Sequence, residues 1–240
     1  MIDSITRQRV LQVTKAYWEE RVQLEEFIKI ASGKEIGHRI ADYVDERTVG
    51  KLHADSEFDV KYEIDDKGKQ LQRSMGDMWL RSNEIYNPVN IKAGVMGKSG
   101  QPNLVSLAKL LDRLLAQQID SYDLLIIKME IPNDPEGTSG ITPHVFFVDM
   151  LDYLDYVTFD AGPGQAMLCE KQFYAAVTSG HPPANIPLNE KIVTCMERLE
   201  DGYVRLIQNR ETKLQTIHNK YDRYKNRLGQ VVNQGDLRFG

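Results

Sequence analysis

Three polar side chains within sixteen residues have the types needed for hydrolytic chemistry: Asp77 in GDMWL (residues 76–80), then Asn90 and Lys92 in NPVNIKAG (residues 87–94). Alternate residues of a strand share a face, so Asn90 and Lys92 point the same way, and an acid at the start of a neighbouring strand can join them. A carboxylate and an amide oxygen suit a hard divalent cation such as Mg²⁺, with Mn²⁺ as a substitute. An ammonium suits the charge that develops as a phosphodiester is hydrolysed. A glycine-flanked polar loop, GKSGQPNLVS (residues 97–106), follows. In it Lys98 and Ser99 can touch phosphate, and Gln101 and Asn103 can bond bidentately to adenine. Asn103 is equally the residue type that caps a helix at Leu104.

These side chains need elements to hold them. Apolar residues recur with a helical period from Thr6 to Ala31 and again from Ile36 to about Val49, with Glu35 in the first turn of the second helix. Residues 53–73 are charged and contain the turn signal DDKG, which reads as a hairpin or loop. Short strands are expected at Met75–Leu80 and Val89–Ala93, then a glycine-rich connection at residues 94–100, a helix beginning near Asn103, and a strand buried on both faces at Leu124–Met129. Further strands fit Val145–Val148 and Gln165–Leu168, with a tight turn at AGPG (residues 161–164). Beyond Pro187 apolar residues alternate three- and four-residue steps as far as Leu228, a long helix suited to lie on the core or on a second subunit.

The chain has 240 residues, 41% of them hydrophobic, within reach of one domain: N-terminal helices over residues 1–50, a catalytic core over 51–185 and a helical extension over 186–240. Cys169 and Cys195 lack the spacing of a disulfide framework or a multi-cysteine zinc site, and the five histidines show no ligand spacing. The N-terminus lacks an apolar signal core and no apolar run reaches the ~20 residues of a membrane span, so a cytoplasmic protein without membrane contact is expected. The net charge of −5 hides an asymmetry: Arg205 to Gly240 holds eight basic and three acidic residues, leaving −10 on the remainder. A basic segment on an acidic body can still hold a duplex.

The order of elements, helix, strand with Asp77, strand with Lys92, loop and helix, then buried strand, resembles the PD-(D/E)xK nuclease core, and most closely the HincII and HpaI branch of type II restriction endonucleases. The resemblance is strongest from Gly76 to Met129, with a fainter echo in TFDAGPGQAMLCEK (residues 158–171), and covers about half the chain. It implies an α/β (α+β) fold, a mixed central β-sheet flanked by helices, with long N- and C-terminal helices. It also implies Mg²⁺-dependent, sequence-specific double-strand cleavage of DNA leaving 5′-phosphates, carried out by a homodimer. Asp77 corresponds to the first metal-binding aspartate and Lys92 to the catalytic lysine, while Gln101 and Asn103 correspond to the loop that enters the DNA groove. Asn90 departs from the pattern, which has Asp or Glu there, so the second metal contact is expected to be weaker or to need another carboxylate such as Glu84 or Glu35. Two other readings fit the same residues: a structure-specific repair or recombination nuclease of this fold, and a nonenzymatic helical interaction protein.

Overall fold

The structure, a computed structural model, describes residues 1–23, 27, 36–63, 74–97, 102–131, 140–160, 164–180 and 186–236. Helix α1 (Ser4–Arg21) starts where the Asp3 carboxylate accepts from the Thr6 amide at 2.9 Å and the Thr6 hydroxyl at 2.7 Å. Those two donors hold the Asp3 carboxyl down at about 2. Val10, Thr14 and Trp18, four apart, form its buried stripe. Helix α2 (Ile36–Ala54) repeats the device with Ile40, Val44, Thr48 and Leu52, and the Trp18 indole N–H donates to the Thr48 hydroxyl at 2.9 Å. α1 is shorter than the expected Thr6–Ala31 helix, ending in a turn at Val22, and most of residues 24–35 lies outside the described residues.

A five-stranded mixed sheet follows, built from β1 (Val60–Lys61), β2 (Met78–Ser82), β3 (Ile85–Val95), β5 (Asp123–Glu130) and β6 (Thr142–Asp149) in the order β1-β2-β3-β5-β6. Only the β3–β5 pair is parallel. The expected loop at residues 53–73 thus contains the short strand β1. The expected connection at 94–100 begins later, because β3 stays paired with β5 through Val95↔Met129. One face of the sheet presents Met78, Leu80, Val89, Ile91, Leu125 and Ile127 to α1 and α2. The other presents Trp79, Leu124 and Ile126 to a second core. Burial on both faces explains why β5 reads as an unbroken apolar run.

The crossover from β3 to β5 runs through β4 (Asn103–Ser106) and helix α3 (Leu107–Leu115). The sequence places a helix start at Asn103; the backbone instead stays extended, because β4 pairs with β8 (Gln165–Leu168), itself paired with β7 (Val157–Asp160) in a three-stranded antiparallel sheet. Ser106, not Asn103, caps α3 by accepting from the Lys109 amide. A 3-10 helix (Met150–Tyr156) and helix α4 (Glu170–Thr178) complete this side, neither anticipated from periodicity.

The chain then enters helix α5 (Leu188–Asp236), 49 residues or about 70 Å long. Its first third docks on the second core through Ile192, Cys195 and Leu199. Gly202 is there for space: a Cβ would lie 1.9 Å from the Phe159 ring. Lys191, buried, pairs with Asp152 and stands 3.6 Å from Asp149, while Arg7 reaches the buried Asp123, so the charges at this end of the sheet are met in pairs. From Ile207 to Leu228 every residue of α5 is exposed. Among the described residues no helix is long and apolar enough to cross a membrane.

Candidate active site

β2 and β3 form a hairpin whose pairing runs from Ser82↔Ile85 to Met78↔Val89. β3 continues six residues further, leaving its edge on that side without a partner strand, an arrangement that demands acceptors for the exposed backbone N–H groups. Asp77, one residue before β2, supplies one. Its amide donates to the Val89 carbonyl at 2.9 Å and its carboxylate accepts from the Ile91 amide at 2.6 Å. The preceding residue must be glycine, since a Cβ on Gly76 would meet backbone atoms of Val89 and Met78 at 2.8–2.9 Å. The GD pair in the sequence is therefore the joint that seats the carboxylate against β3.

Extending the hairpin register by one step puts Asn90 opposite Asp77, on the sheet face shared with Lys92. Asn90 is buried, and its side chain lies close enough to the hydroxyl of Tyr122, fully buried just before β5, to oppose part of the rise that burial imposes on the phenol. The Tyr122 hydroxyl in turn donates toward the Met75 and Leu104 carbonyls, at 2.9 and 3.2 Å. One phenol thus ties the segment before Asp77 to the strand that carries Asn103. The Asn90 amide oxygen is left buried without a hydrogen-bond partner.

A fourth residue, Asp45 of α2, feels the charges of Asp77 and Lys92. It sits beside Val44, on the flank of the stripe that α2 packs against β3, and one of its carboxylate oxygens is buried without a partner. Burial and, after it, the nearby Asp77 charge raise its carboxyl to about 7, with the Lys92 ammonium opposing both. Burial also raises the Asp77 carboxyl, against the pull of the Ile91 N–H and of Lys92. Two carboxylates that repel each other and one ammonium thus lie within electrostatic reach of one another where β3 outruns β2, with the orphaned Asn90 amide oxygen opposite Asp77 in the extended register.

These donors fit a hard divalent cation. Mg²⁺ is commonly held by one or two carboxylates, with waters and substrate phosphate oxygens filling its remaining positions. The repulsion at Asp45 and Asp77 and the unpaired amide oxygen are what such an ion would relieve. No cluster of three or more His, Cys, Asp or Glu side chains suited to a metal occurs among the described residues, so the set is two acids and one amide.

Of the residues singled out from sequence, Asp77, Asn90 and Lys92 converge. Glu84 does not: it is exposed in the hairpin turn, at the opposite end of β2 from Asp77. Glu35, Lys98, Ser99 and Gln101 lie outside the described residues. Asn103 is exposed at the start of β4, opposite Met167. Asp45 was missed because a single acid on the flank of an amphipathic helix reads as solvated surface. Its only sequence signal is its place next to the buried Ile40-Val44-Thr48 stripe. No protein-family model matches the chain, and no curated protein matches it.

The raised Asp45 carboxyl has a consequence for stability without metal. Between 3.8 and about 7 the unfolded chain holds fewer protons than the folded one, so folding weakens as pH rises through that window. Asp45→Asn removes the penalty. In EDTA it is expected to stabilise the protein by about 2 kcal/mol at pH 8, the full shift being discounted for the part of the side chain that water reaches, and by almost nothing at pH 4. Urea unfolding at the two pH values checks this.

Proposed function

We propose that the protein is a Mg²⁺-dependent DNA endonuclease of the PD-(D/E)xK type, acting as a type II restriction enzyme on double-stranded DNA. The observation that carries this reading is that Asp77 is seated against β3 opposite Asn90, on the face of Lys92, with Asp45 of α2 near enough to feel the Asp77 and Lys92 charges. The element order supports it too: helix, a three-stranded antiparallel meander, a crossover helix and a parallel strand, as that nuclease core requires. Asp77, Asp45 and the Asn90 amide oxygen are the residues that would hold the ion. When bound, it supplies charge against the phosphodiester and makes a water easier to deprotonate. Lys92, half-exposed on the same face, orients the attacking water and stabilises the negative charge that accumulates on the phosphoryl oxygens. Cleavage of the bond to the 3′ oxygen leaves a 5′-phosphate and a 3′-hydroxyl. Asn103, with Gln101, Lys98 and Ser99, belongs to the segment assigned to DNA contact, and the exposed bases of α5, including Arg210, Lys213, Lys220 and Arg223, give the duplex a positively charged arm.

Cutting both strands of a palindrome calls for a homodimer. The outer part of α5 offers it an exposed stripe, Ile207, Leu214, Ile217, Tyr221, Tyr224 and Leu228, in seven-, three- and four-residue steps. The same stripe favours the rival reading of a nonenzymatic interaction protein. Incubating the purified protein with unmethylated plasmid in Mg²⁺ or Mn²⁺ separates the readings. Discrete fragments, from protein that sediments as a dimer, support the restriction enzyme. Random degradation supports a structure-directed nuclease, and intact plasmid under both metals removes the nuclease reading.

A further inference from the structure

Past the end of the proposed catalytic strand lies a cavity of about 630 Å³, walled by Met96 after β3, Lys128 of β5, His144 of β6, and Glu170 and Tyr174 of α4, with Lys171 at its rim. Its size is that of sites for small organic ligands. The wall is largely apolar, and its polar groups are few and placed. His144 is engaged with Glu130 at 2.9 Å, and Lys128 is buried in an ion pair with Glu170.

Two features relate this cavity to the cluster of Asp77 and Lys92. Lys128 is the register partner of Gly94, which lies two residues beyond Lys92 on the same face, about 7 Å along the strand. Gly94 also leaves room for the ammonium, since a Cβ there would come within 2.9 Å of the Lys128 Nζ. The ammonium therefore lies over the strand within one nucleotide's reach of Lys92. A buried ion pair is a poor stabilising device, because apolar side chains of similar volume serve a core as well or better. Set in the wall of a cavity it does something an apolar pair cannot: it presents N–H donors beside a carboxylate acceptor. That pattern complements the donor and acceptor edge that every nucleobase carries, and the apolar wall and the Tyr174 ring suit its flat faces.

We propose that this cavity binds a nucleobase, and that in the reaction it receives an unstacked nucleotide adjoining the cleaved phosphodiester, with Lys128 and Glu170 on the base edge and Lys171 toward phosphate. The second half of this statement rests on the endonuclease reading above; the first does not. A free nucleotide and a nucleotide of the DNA strand share the chemistry, and the test separates them.

The test measures binding of the four deoxynucleoside monophosphates by saturation-transfer NMR and calorimetry, and plasmid cleavage in Mg²⁺, for the wild type, Ala175→Trp, Lys128→Met and Asp77→Asn. Ala175 is exposed on the cavity side of α4, so a tryptophan there fills the space without entering the core. At least one nucleotide is expected to bind the wild type and Asp77→Asn equally, and about tenfold more weakly to Ala175→Trp and Lys128→Met, with cleavage by Ala175→Trp reduced by a similar factor. Nucleotide binding lost in Ala175→Trp while cleavage is unchanged places free nucleotide, not the DNA strand, in the cavity and overturns the second half. Binding that depends on Ala175 in a protein that cuts no DNA sustains the nucleobase site and removes the endonuclease reading alone. Cleavage by the wild type with no nucleotide binding, or with binding indifferent to Ala175→Trp, overturns the cavity assignment and leaves that reading standing.

Discussion

Lys92→Ala is expected to slow single-turnover DNA cleavage by about a thousandfold while leaving the protein folded. Removing one preorganised charge stabiliser from a hydrolytic site costs about 10²–10³ in rate, and Lys92 is half-exposed on β3 with no core contact to lose. Asp77 requires a more careful substitution. Its carboxylate accepts the Ile91 amide of the unpaired β3 edge, so Asp77→Ala would leave that N–H without its acceptor and cost about 1–3 kcal/mol of stability. Asp77→Asn retains an acceptor oxygen and removes only the charge. It too is expected to reduce cleavage by about a thousandfold, since the ion loses one of two carboxylates. Binding of duplex DNA in Ca²⁺ should change by no more than a few-fold in either variant, because phosphate and base contacts elsewhere carry the affinity. Cleavage near the wild-type rate in either protein would mean that the active site lies elsewhere.

The site was legible in the sequence to the extent that it is local. Asn90 and Lys92 share a face by the two-residue period of a strand. Asp77 joins them because a tight hairpin of β2 and β3, with Asn83 at a φ of 57° in its turn, fixes the register. Asp45 comes from 32 residues upstream, and only the packing of α2 on β3 brings it in. No local pattern records that contact. The same division runs through the fold. β5 and α5 announce themselves by an unbroken apolar run and by a long period. β4, whose NLVS looks like the opening turn of a helix, becomes a strand because β8, about sixty residues later, pairs with it. Propensity at Asn103 lost to a tertiary pairing, and the cap moved to Ser106. The 3-10 helix and α4 were invisible for a related reason: their buried residues Leu151, Leu154 and Phe173 face a core assembled from distant strands.

The metal dependence of three variants decides which of Asp45 and Asn90 is the second ligand. Asn90 offers one neutral oxygen, now buried without a partner, whereas Asp45 offers a carboxylate that is half-protonated near pH 7. If both ligate, Asp45→Asn should weaken Mg²⁺ binding most, by about a hundredfold, because it removes charge that a hard cation prefers, and should flatten the rise in affinity expected of the wild type as pH passes 7. Asn90→Leu should weaken it by about tenfold and shift the preference toward Mn²⁺, whose affinity for a given ligand set is generally the higher. Asn90→Asp places a third carboxylate beside two that already repel each other. Metal-free, it should lower stability above pH 7, where Asp45 is ionised; metal-bound, it should tighten Mg²⁺ by about tenfold, and by less below pH 7. The cleavage rate need not follow affinity, since an ion held more tightly before the reaction gains nothing at the transition state. The measurement is a Mg²⁺ and Mn²⁺ titration of single-turnover cleavage at pH 6 and pH 8 for the wild type and the three variants. Metal dependence identical in wild type, Asn90→Leu and Asn90→Asp removes the amide from the site and leaves Asp45 and Asp77 as its ligands.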